Sequence, residues 1–244
     1  MLLHLGNIPL LVVSSSDAAR EILKTHDLIF SNRPKSSVAS GIYDCKDIAF
    51  CPYGEYWRQV KSICVHHLLS NRKVQSFRSV REEEVSLMMD KIKKCCFYEK
   101  SVVNLSEMFA SLTNDVICRV GLGRKYSDGD ESGRKFKEVL ERLGVLLGGF
   151  NVGEFIPWLV WIKYVDGLNG KVRRVAKEID EFLEFVVKEH KDEKRRKGIN
   201  EDFVDVLLEI QRNGEGGFAL DAISIKALIL VCVVFSFSFG SDGF

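Results

Sequence analysis

Pro-Tyr-Gly-Glu-Tyr-Trp-Arg-Gln-Val-Lys, residues 52–61, is the stretch from which the fold of this chain can be interpreted. Pro52 and Gly54 are typical of a loop, whereas the apolar side chains that follow recur at the spacing of one helix face. These apolar residues are Trp57, Val60, Cys64 and Leu68. The stretch therefore predicts a loop that ends near Gly54 and a helix that begins there.

The predicted helix carries two hydrogen-bond donors on one face. Trp57 and Lys61 are four residues apart and share that face, whereas Arg58 leaves the helix about 100° around it. An indole N–H and an ammonium beside apolar side chains suit the carboxylate of an otherwise apolar ligand, because charged hydrogen bonds are the stronger ones. The alternative is a core tryptophan packed beside the apolar stem of a lysine. Spacing alone does not decide between them.

Residues 53–70 resemble the C helix of plant cytochromes P450, most closely subfamily A of family 71. The resemblance implies that Trp57 and Lys61 bind a propionate group of haem. Arg58 is a further cofactor-binding candidate, which would take this role if its face of the helix points to the haem. The family residue at position 61 is more commonly arginine. A lysine is a point charge without the two-pronged guanidinium geometry, so it would orient the propionate less strongly than it attracts it.

Further stretches carry the same resemblance over nearly the whole chain up to Leu230. They are residues 12–27, 30–34, 110–120 and 202–208. The resemblance implies a mainly α fold, namely the amino-terminal half of the cytochrome P450 fold with helices B to H, the start of helix I and a small amino-terminal β-hairpin. It also divides the chain into a partial cytochrome P450 domain, residues 1–230, and a hydrophobic tail outside the family, residues 231–244.

Composition argues against several classes of function. Of 244 residues, 46% are hydrophobic, which is enough for a packed core. Lysine and arginine number 35 against 34 acidic residues, so the net charge of +1 gives no electrostatic reason to expect a nucleic-acid partner. Seven cysteines without a signal peptide favour reduced thiols over a disulfide framework. The adjacent pair Cys95-Cys96 lacks a second pair at zinc-site spacing, so no metal site is predicted.

The first 53 residues predict a hairpin followed by a helix and a long loop. Two short apolar runs, residues 1–5 and 8–13, are separated by a Gly-Asn pair that suits a two-residue turn. Residues 31–53 are rich in proline, glycine and small polar side chains, which predicts a loop with a short extended piece at residues 47–50. The resemblance implies that the family's first substrate-recognition region lies at about residues 36–50.

Helical periodicity continues through the rest of the resemblance. Helices are predicted at residues 71–94, 104–121, 132–147, 167–197 and 201–212, and from residue 221 onward. The family's second recognition region falls near residues 146–153. Trp158 and Trp161 lie in the same connection between helices, where they either pack in a corner or contact a membrane or a pocket.

The sequence departs from the family after Leu230. The family continues helix I with an acidic residue and Ala-Gly-Thr-Asp-Thr, whose acid and alcohol relay protons, but residues 231–244 here read Val-Cys-Val-Val-Phe-Ser-Phe-Ser-Phe-Gly-Ser-Asp-Gly-Phe. The apolar run at residues 227–239 is too short to span a bilayer of about 30 Å. No cysteine stands in the family motif Phe-x-x-Gly-x-Arg-x-Cys-x-Gly. We therefore assign no catalytic residue and no metal ligand.

Three functional hypotheses follow. The resemblance implies a haem-thiolate enzyme that oxidises a small hydrophobic plant metabolite with O2 and electrons from NADPH–cytochrome P450 reductase, on the cytoplasmic face of the endoplasmic reticulum membrane. Because the sequence lacks the haem-cysteine region and the membrane anchor of the family, the second hypothesis is a truncated, catalytically inactive chain in the cytoplasm. The third is a non-enzymatic helical interaction module.

Overall fold

The computed structural model describes residues 1–99, 102–126, 131–149, 151–159, 167–192, 201–214 and 220–241. This part of the chain is mainly helical with one two-stranded antiparallel sheet, which confirms the predicted fold class. The strands are β1 (Leu2–Leu5) and β2 (Ile8–Leu11). The helices are α1 (Ser16–Arg20), α2 (Asp27–Phe30), α3 (Ser37–Tyr43), α4 (Glu55–Ile63), α5 (Asn71–Ser76), α6 (Arg78–Lys94), α7 (Leu105–Leu122), α8 (Glu131–Gly148), α9 (Val152–Phe155), α10 (Leu168–Lys191), α11 (Phe203–Asn213) and α12 (Ala222–Ser241). Short π-helical turns continue three of them at Glu21–Thr25, Cys64–Leu68 and Cys95–Glu99, and a 3-10 turn follows α9 at Pro157–Leu159.

Strands β1 and β2 form the predicted hairpin. Leu5 pairs with Ile8, so Gly6 and Asn7 are the two turn residues. Gly6 has a φ of 62°, a left-handed conformation that glycine adopts without steric cost. A Cβ at Gly6 would lie 2.1 Å from the carbonyl oxygen of Phe155, and the Asn7 N–H donates to that oxygen at 3.0 Å. The turn is therefore docked on α9 and requires glycine.

Polar side chains fix where several helices begin. The side chains of Ser15, Ser36, Ser70 and Asn104 each accept a hydrogen bond from the backbone N–H three residues later. Asp202 and Asp205 exchange side-chain and backbone hydrogen bonds in a reciprocal cap at the start of α11. Such caps satisfy N–H groups that have no partner within the helix, and each contributes about 1 kcal/mol.

Helix α12 lies at the centre of the packed core. It contacts α3, α7, α8, α10 and α11. Its side chains Ile225, Ala227, Leu228 and Ile229 are 1% exposed or less. The helix continues past Leu230 to Ser241, and Val233 is 1% exposed. The core therefore includes residues on both sides of the boundary that the resemblance implied at residue 230.

The structure differs from the sequence prediction between residues 31 and 53. Helix α3 lies where only a loop was predicted. The extended piece predicted at residues 47–50 is wrong, because Asp47 Oδ1 accepts hydrogen bonds from the backbone N–H groups of Ala49 at 2.7 Å and Phe50 at 2.8 Å. Aspartate forms local bonds of this kind in competition with extended structure, and here they produce a turn.

Some predicted helix boundaries also change. The helix predicted over residues 71–94 is two helices, α5 and α6, that meet at the buried Phe77. Helix α7 includes Gly121 and ends at Leu122, because the left-handed residue at its end is Gly123. The predicted helix end at residues 193–197 and Trp161 both lie outside the described residues. Within the described ranges, no helix combines the length and the apolar composition needed to cross a bilayer.

A buried carboxylate joins α6 to α7. The Glu84 side chain is 2% exposed, lies 2.5 Å from Arg119 Nη1 and is paired with Lys125 Nζ. Burial acts to raise the pKa of Glu84, but the hydrogen bonds and charges of Lys125 and Arg119 outweigh it, so this pKa lies below its ordinary value. The fold therefore favours the ionised carboxylate.

Replacing Glu84 by alanine should lower the free energy of unfolding by about 3 kcal/mol, because Arg119 and Lys125 lose the buried carboxylate that they share and keep only Glu83 and Asp115, respectively. The matched variant Glu82→Ala removes an exposed carboxylate paired with Arg78 and should cost about 0–1 kcal/mol. Since the folded state lowers the pKa of Glu84, the Glu84→Ala effect should be complete above the ordinary glutamate pKa of about 4.3 and should shrink as the pH falls below it. Urea denaturation at several pH values measures both effects. If the two variants lower the free energy of unfolding equally, the ion pairs of Glu84 stabilise the fold no more than the exposed pair does.

Candidate functional site

An apolar cavity of about 320 Å³ lies between helices α3, α8 and α12. Its apolar lining consists of Ala39, Ile42, Ala49, Phe50, Leu143, Leu147, Ala227, Leu230, Val231 and Val234. Tyr43 and Asp47 complete the wall. The structure thus brings together residues from the two regions, 36–50 and 146–153, that the resemblance implied for substrate recognition. A concave site with aliphatic walls and few polar groups suits a small hydrophobic ligand.

Residues 44–50, here named the cavity turn, are held in place by helix α4. The Tyr56 hydroxyl donates a hydrogen bond to the carbonyl oxygen of Lys46 at 2.8 Å. The Trp57 indole N–H donates to the carbonyl oxygen of Ile48 at 3.0 Å. Two consecutive aromatic residues of α4 therefore bind two alternate carbonyl groups of the cavity turn.

The other side of the cavity turn is tied to α12 and carries an unusual backbone. Lys46 Nζ lies 2.5 Å from Asp221 Oδ2, and Asp221 Oδ1 accepts the N–H of Ser224 in the first turn of α12. Asp44 and Cys45 have φ angles of 51° and 54°, a left-handed conformation that non-glycine residues adopt at an energetic cost. The surrounding contacts therefore impose one conformation on the turn.

Tyr43 links the cavity wall to a cluster of charges. Its hydroxyl donates to Asp180 Oδ1 at 3.1 Å, and Lys226 Nζ lies 2.8 Å from that same oxygen and 2.7 Å from Glu184 Oε2. Burial, together with the negative charge of Asp180, raises the pKa of Tyr43 well above its usual value. The phenol therefore remains neutral, and its O–H is used in the hydrogen bond to Asp180.

A second concave site of about 440 Å³, here named the cationic cleft, lies beside α4. Its lining consists of Asp27, Ser31, Tyr53, Trp57, Arg58, Lys61, Ser62, Val65 and His66. Lys61 Nζ and the Arg33 guanidinium each lie 4.8 Å from the Trp57 ring centroid, within the range of a cation–π interaction. Trp57 is half-buried and Lys61 is exposed, so the pair lies at the protein surface rather than in the core.

All three residues predicted from the sequence to bind a cofactor line the cationic cleft. Arg58 was expected on another side of the helix, yet its long side chain reaches the same cleft. Its Nη2 lies 2.7 Å from Glu55 Oε2, so its charge is already paired. Lys61 forms no ion pair with any carboxylate of the described residues. Lys61 therefore offers the more available positive charge.

The cleft fits a haem propionate through Lys61 more readily than through Trp57. Because the Trp57 N–H donates to Ile48, a propionate that took this donor would displace a backbone carbonyl. The Lys61 ammonium needs no such exchange. Asp27 also lines the cleft and acts against a bound carboxylate, since like charges repel.

Sequence reasoning did not single out Asp47, Tyr43 or Arg33. For Asp47 a signal existed, because an aspartate side chain often accepts hydrogen bonds from backbone N–H groups two or three residues later and so favours a turn. For Tyr43 no local signal existed, since its partner Asp180 is 137 residues away in the sequence. Arg33 belongs to the stretch at residues 30–34 that carried the resemblance, but nothing in its spacing indicated contact with Trp57.

The chain is similar to known proteins along nearly its whole length. A sequence model of the family described as Cytochrome P450 matches residues 1–234. Cytochrome P450 736A117 of Prunus mume is 56% identical over 235 residues, which cover 94% of this chain and 45% of the relative. Cytochrome P450 71A22 of Arabidopsis thaliana is 54% identical, covering 96% of this chain and 46% of the relative. The chain thus spans about half the length of the curated relatives it matches.

Solved structures agree on the fold. A zebrafish cytochrome P450 with abiraterone superposes with a TM-score of 0.71 at 19% identity, covering 97% of this chain and 51% of that structure. A second zebrafish structure, with progesterone, gives a TM-score of 0.69 at 20% identity, covering 95% of this chain and 51% of that structure. This likeness supports the arrangement of the helices.

Replacing Trp57 by phenylalanine should lower the free energy of unfolding by about 1–2 kcal/mol, because the partly buried Ile48 carbonyl loses its donor. The matched control is Trp158→Phe, at a side chain that is 72% exposed, where a change below about 0.5 kcal/mol is expected. Urea denaturation monitored by far-ultraviolet circular dichroism measures both. Equal effects of the two substitutions would show that the Trp57 hydrogen bond does not hold the cavity turn.

Proposed function

The chain belongs to the cytochrome P450 family, and from this premise we propose that it forms the substrate-binding half of a haem-dependent monooxygenase that oxidises a small hydrophobic plant metabolite. The observation that carries the proposal is the apolar cavity, whose aliphatic walls come from α3, α8 and α12. A non-enzymatic helical interaction module is not favoured, because the family match extends over residues 1–234.

Lys61 and Trp57, with Arg58 as a weaker contributor, are proposed to hold a haem propionate. Haem with a cysteine thiolate ligand supplies the iron centre that favours O–O cleavage. In support, Lys61 has no carboxylate partner among the described residues and lies in a cleft wide enough for a ligand carboxylate. Arg58 ranks lower because Glu55 neutralises its charge.

The 244 residues by themselves are proposed to be catalytically inactive. None of their cysteines stands in the family's haem-ligand motif. The buried cysteines are also poor thiolate donors: burial raises the pKa of Cys64 to about 11, and burial followed by the charge of Asp115 raises the pKa of Cys118 to about 12. A metal-binding cysteine is deprotonated and has a lowered pKa, so these thiols suit a hydrophobic core instead.

The proposed reaction needs electrons from outside the chain. For the whole protein we propose NADPH–cytochrome P450 reductase as the redox partner and the cytoplasmic face of the endoplasmic reticulum membrane as the location. Both proposals rest on family membership. Both apply to a protein as long as these relatives and not to the 244 residues alone.

The purified chain, mixed with haem, reduced and exposed to carbon monoxide, should not show the red-shifted Soret band that a thiolate ligand gives to ferrous haem. Absorption spectroscopy is the measurement, and a relative of full length is the positive control. A stable thiolate-type band would mean that one of the seven cysteines ligates iron, and the inactive-chain proposal would then be abandoned.

Joining residues 1–230 to the remaining half of the Arabidopsis relative provides a test of the propionate site. In that chimera Lys61→Ala should weaken haem retention by about 1–3 kcal/mol, the scale of a lost hydrogen bond to a charged group. Lys61→Arg should preserve retention, because guanidinium binds a carboxylate in a two-pronged geometry.

Arg58→Ala should have a smaller effect than Lys61→Ala, since Arg58 is already paired with Glu55. Haem transfer to an apo-globin acceptor measures retention. The exposed Lys177→Ala serves as the control for loss of positive charge. If retention depends on Arg58 and is indifferent to Lys61, the propionate contact belongs to Arg58.

A further inference from the structure

The apolar cavity contains one buried carboxylate that, among the described residues, receives hydrogen bonds only from the backbone of its own turn. Asp47 lines the cavity and is 9% exposed. Its Oδ1 accepts both hydrogen bonds from the cavity turn, from the N–H groups of Ala49 and Phe50. The backbone N–H of Asp47 itself is a further donor to the carboxylate. No side chain of the described residues donates to it, so its remaining acceptor capacity is available to a ligand.

No cation of the described residues neutralises Asp47. The neighbouring Lys46 is paired with Asp221 on the outer side of the turn. Arg33 donates through Nε to the carbonyl of Ala49 and through Nη1 to that of Ser31, rather than to the carboxylate. Burial, opposed by hydrogen bonds from the backbone, raises the pKa of Asp47, as expected for a carboxylate in apolar surroundings without a counter-ion.

Tyr43, the second polar residue of the cavity wall, also offers a ligand hydrogen-bond acceptors and no donor. Its O–H is donated to Asp180 outside the cavity, so towards a ligand only the lone pairs of the phenol oxygen remain. Both polar side chains of the wall thus offer acceptors, and neither offers a free donor. A bound molecule with a hydrogen-bond donor would be complemented, whereas one with a carboxylate would face an unpaired negative charge.

The position of Asp47 is fixed before any ligand binds. Tyr56 and Trp57 hold the carbonyl groups on either side of it, those of Lys46 and Ile48. Because the turn is already ordered, little conformational entropy is lost when Asp47 contacts a ligand, and the interaction can contribute to affinity and orientation.

We propose that Asp47 is the polar anchor of the apolar cavity and that it selects hydrophobic ligands carrying a hydrogen-bond-donating head, either a hydroxyl or a protonated amine. The inference rests on the proposed function, since it names the substrate class for the same cavity. Asp47 acts as a positioning and specificity-determining residue. It fixes one end of the ligand and so decides which part of the apolar body faces the rest of the cavity.

Four probes that carry a phenyl ring on a four-carbon chain and differ at the far end of that chain test the proposal on the 244-residue chain: phenylbutylamine, phenylbutanol, its methyl ether and phenylbutyrate. Isothermal titration calorimetry measures each dissociation constant. The amine should bind at least about tenfold more tightly than the ether, as expected for a hydrogen bond to a charged group. The alcohol should lie between them and phenylbutyrate should bind most weakly.

Asp47→Asn is the decisive variant. Its side-chain oxygen can still accept the Ala49 and Phe50 N–H groups, but its amide presents donors in place of Oδ2. The preference for amine over ether should therefore disappear, while binding of the ether persists. The matched control is Asp44→Asn, which removes the same charge from an exposed residue of the same turn at a left-handed position that asparagine tolerates. Its binding profile should equal that of the unmodified chain.

A cavity-filling variant separates this proposal from the proposed function. Val231→Phe occupies the cavity and should weaken all four probes alike. If the four probes bind equally well and Asp47→Asn changes none of their dissociation constants, the anchor proposal is overturned, while the proposal that the cavity binds hydrophobic ligands is retained. If no probe binds, or if Val231→Phe has no effect on binding, the cavity itself is not a ligand site and the proposed function loses its main support.

Discussion

The hydrogen bond from the Trp57 indole to the Ile48 carbonyl is the contact on which both concave sites depend. Trp57 lines the cationic cleft on one side of α4, and through this bond it holds the turn that closes the apolar cavity on the other. Tyr56 repeats the arrangement one residue earlier, with the Lys46 carbonyl as acceptor. The adjacent aromatic residues therefore have a structural role that is independent of any cofactor.

The core around α12 explains why the cavity is apolar. A helix that is buried on most sides presents mainly apolar residues, and α12 presents Ala227 and Leu230 to the cavity while Ile225, Leu228 and Ile229 pack elsewhere. Val231 and Val234 continue the cavity wall. The apolar character that distinguished residues 231–234 from the family's acidic and alcohol-bearing segment is therefore compatible with a place in this wall.

Local sequence patterns were sufficient to predict the secondary-structure elements that depend only on residues close together in the sequence. The Gly6-Asn7 pair specified the hairpin register, and the spacing of Trp57, Val60 and Cys64 specified helix α4. The same patterns did not predict features that depend on contacts between residues far apart in the sequence. Helix α3 was missed because its composition is that of a loop, while its stability depends on a serine cap and on packing against α10. Likewise, the cationic cleft was anticipated from one helix face, but its Arg33 contact and the inclusion of Arg58 required the folded chain.

The energetic roles of Trp57 and Lys61 differ even though the resemblance gave them one joint role. A carboxylate that took the indole N–H would leave the Ile48 carbonyl without its partner, a cost of about 1–3 kcal/mol where the group is shielded from water. The ammonium of Lys61 is exposed and free of described carboxylates, so binding there breaks no existing ion pair. Its position 4.8 Å from the Trp57 ring centroid is compatible with a carboxylate bound on its outer side. In this chain, therefore, the lysine is better placed than the tryptophan to attract an anion, whereas the tryptophan is placed to fix the cavity turn.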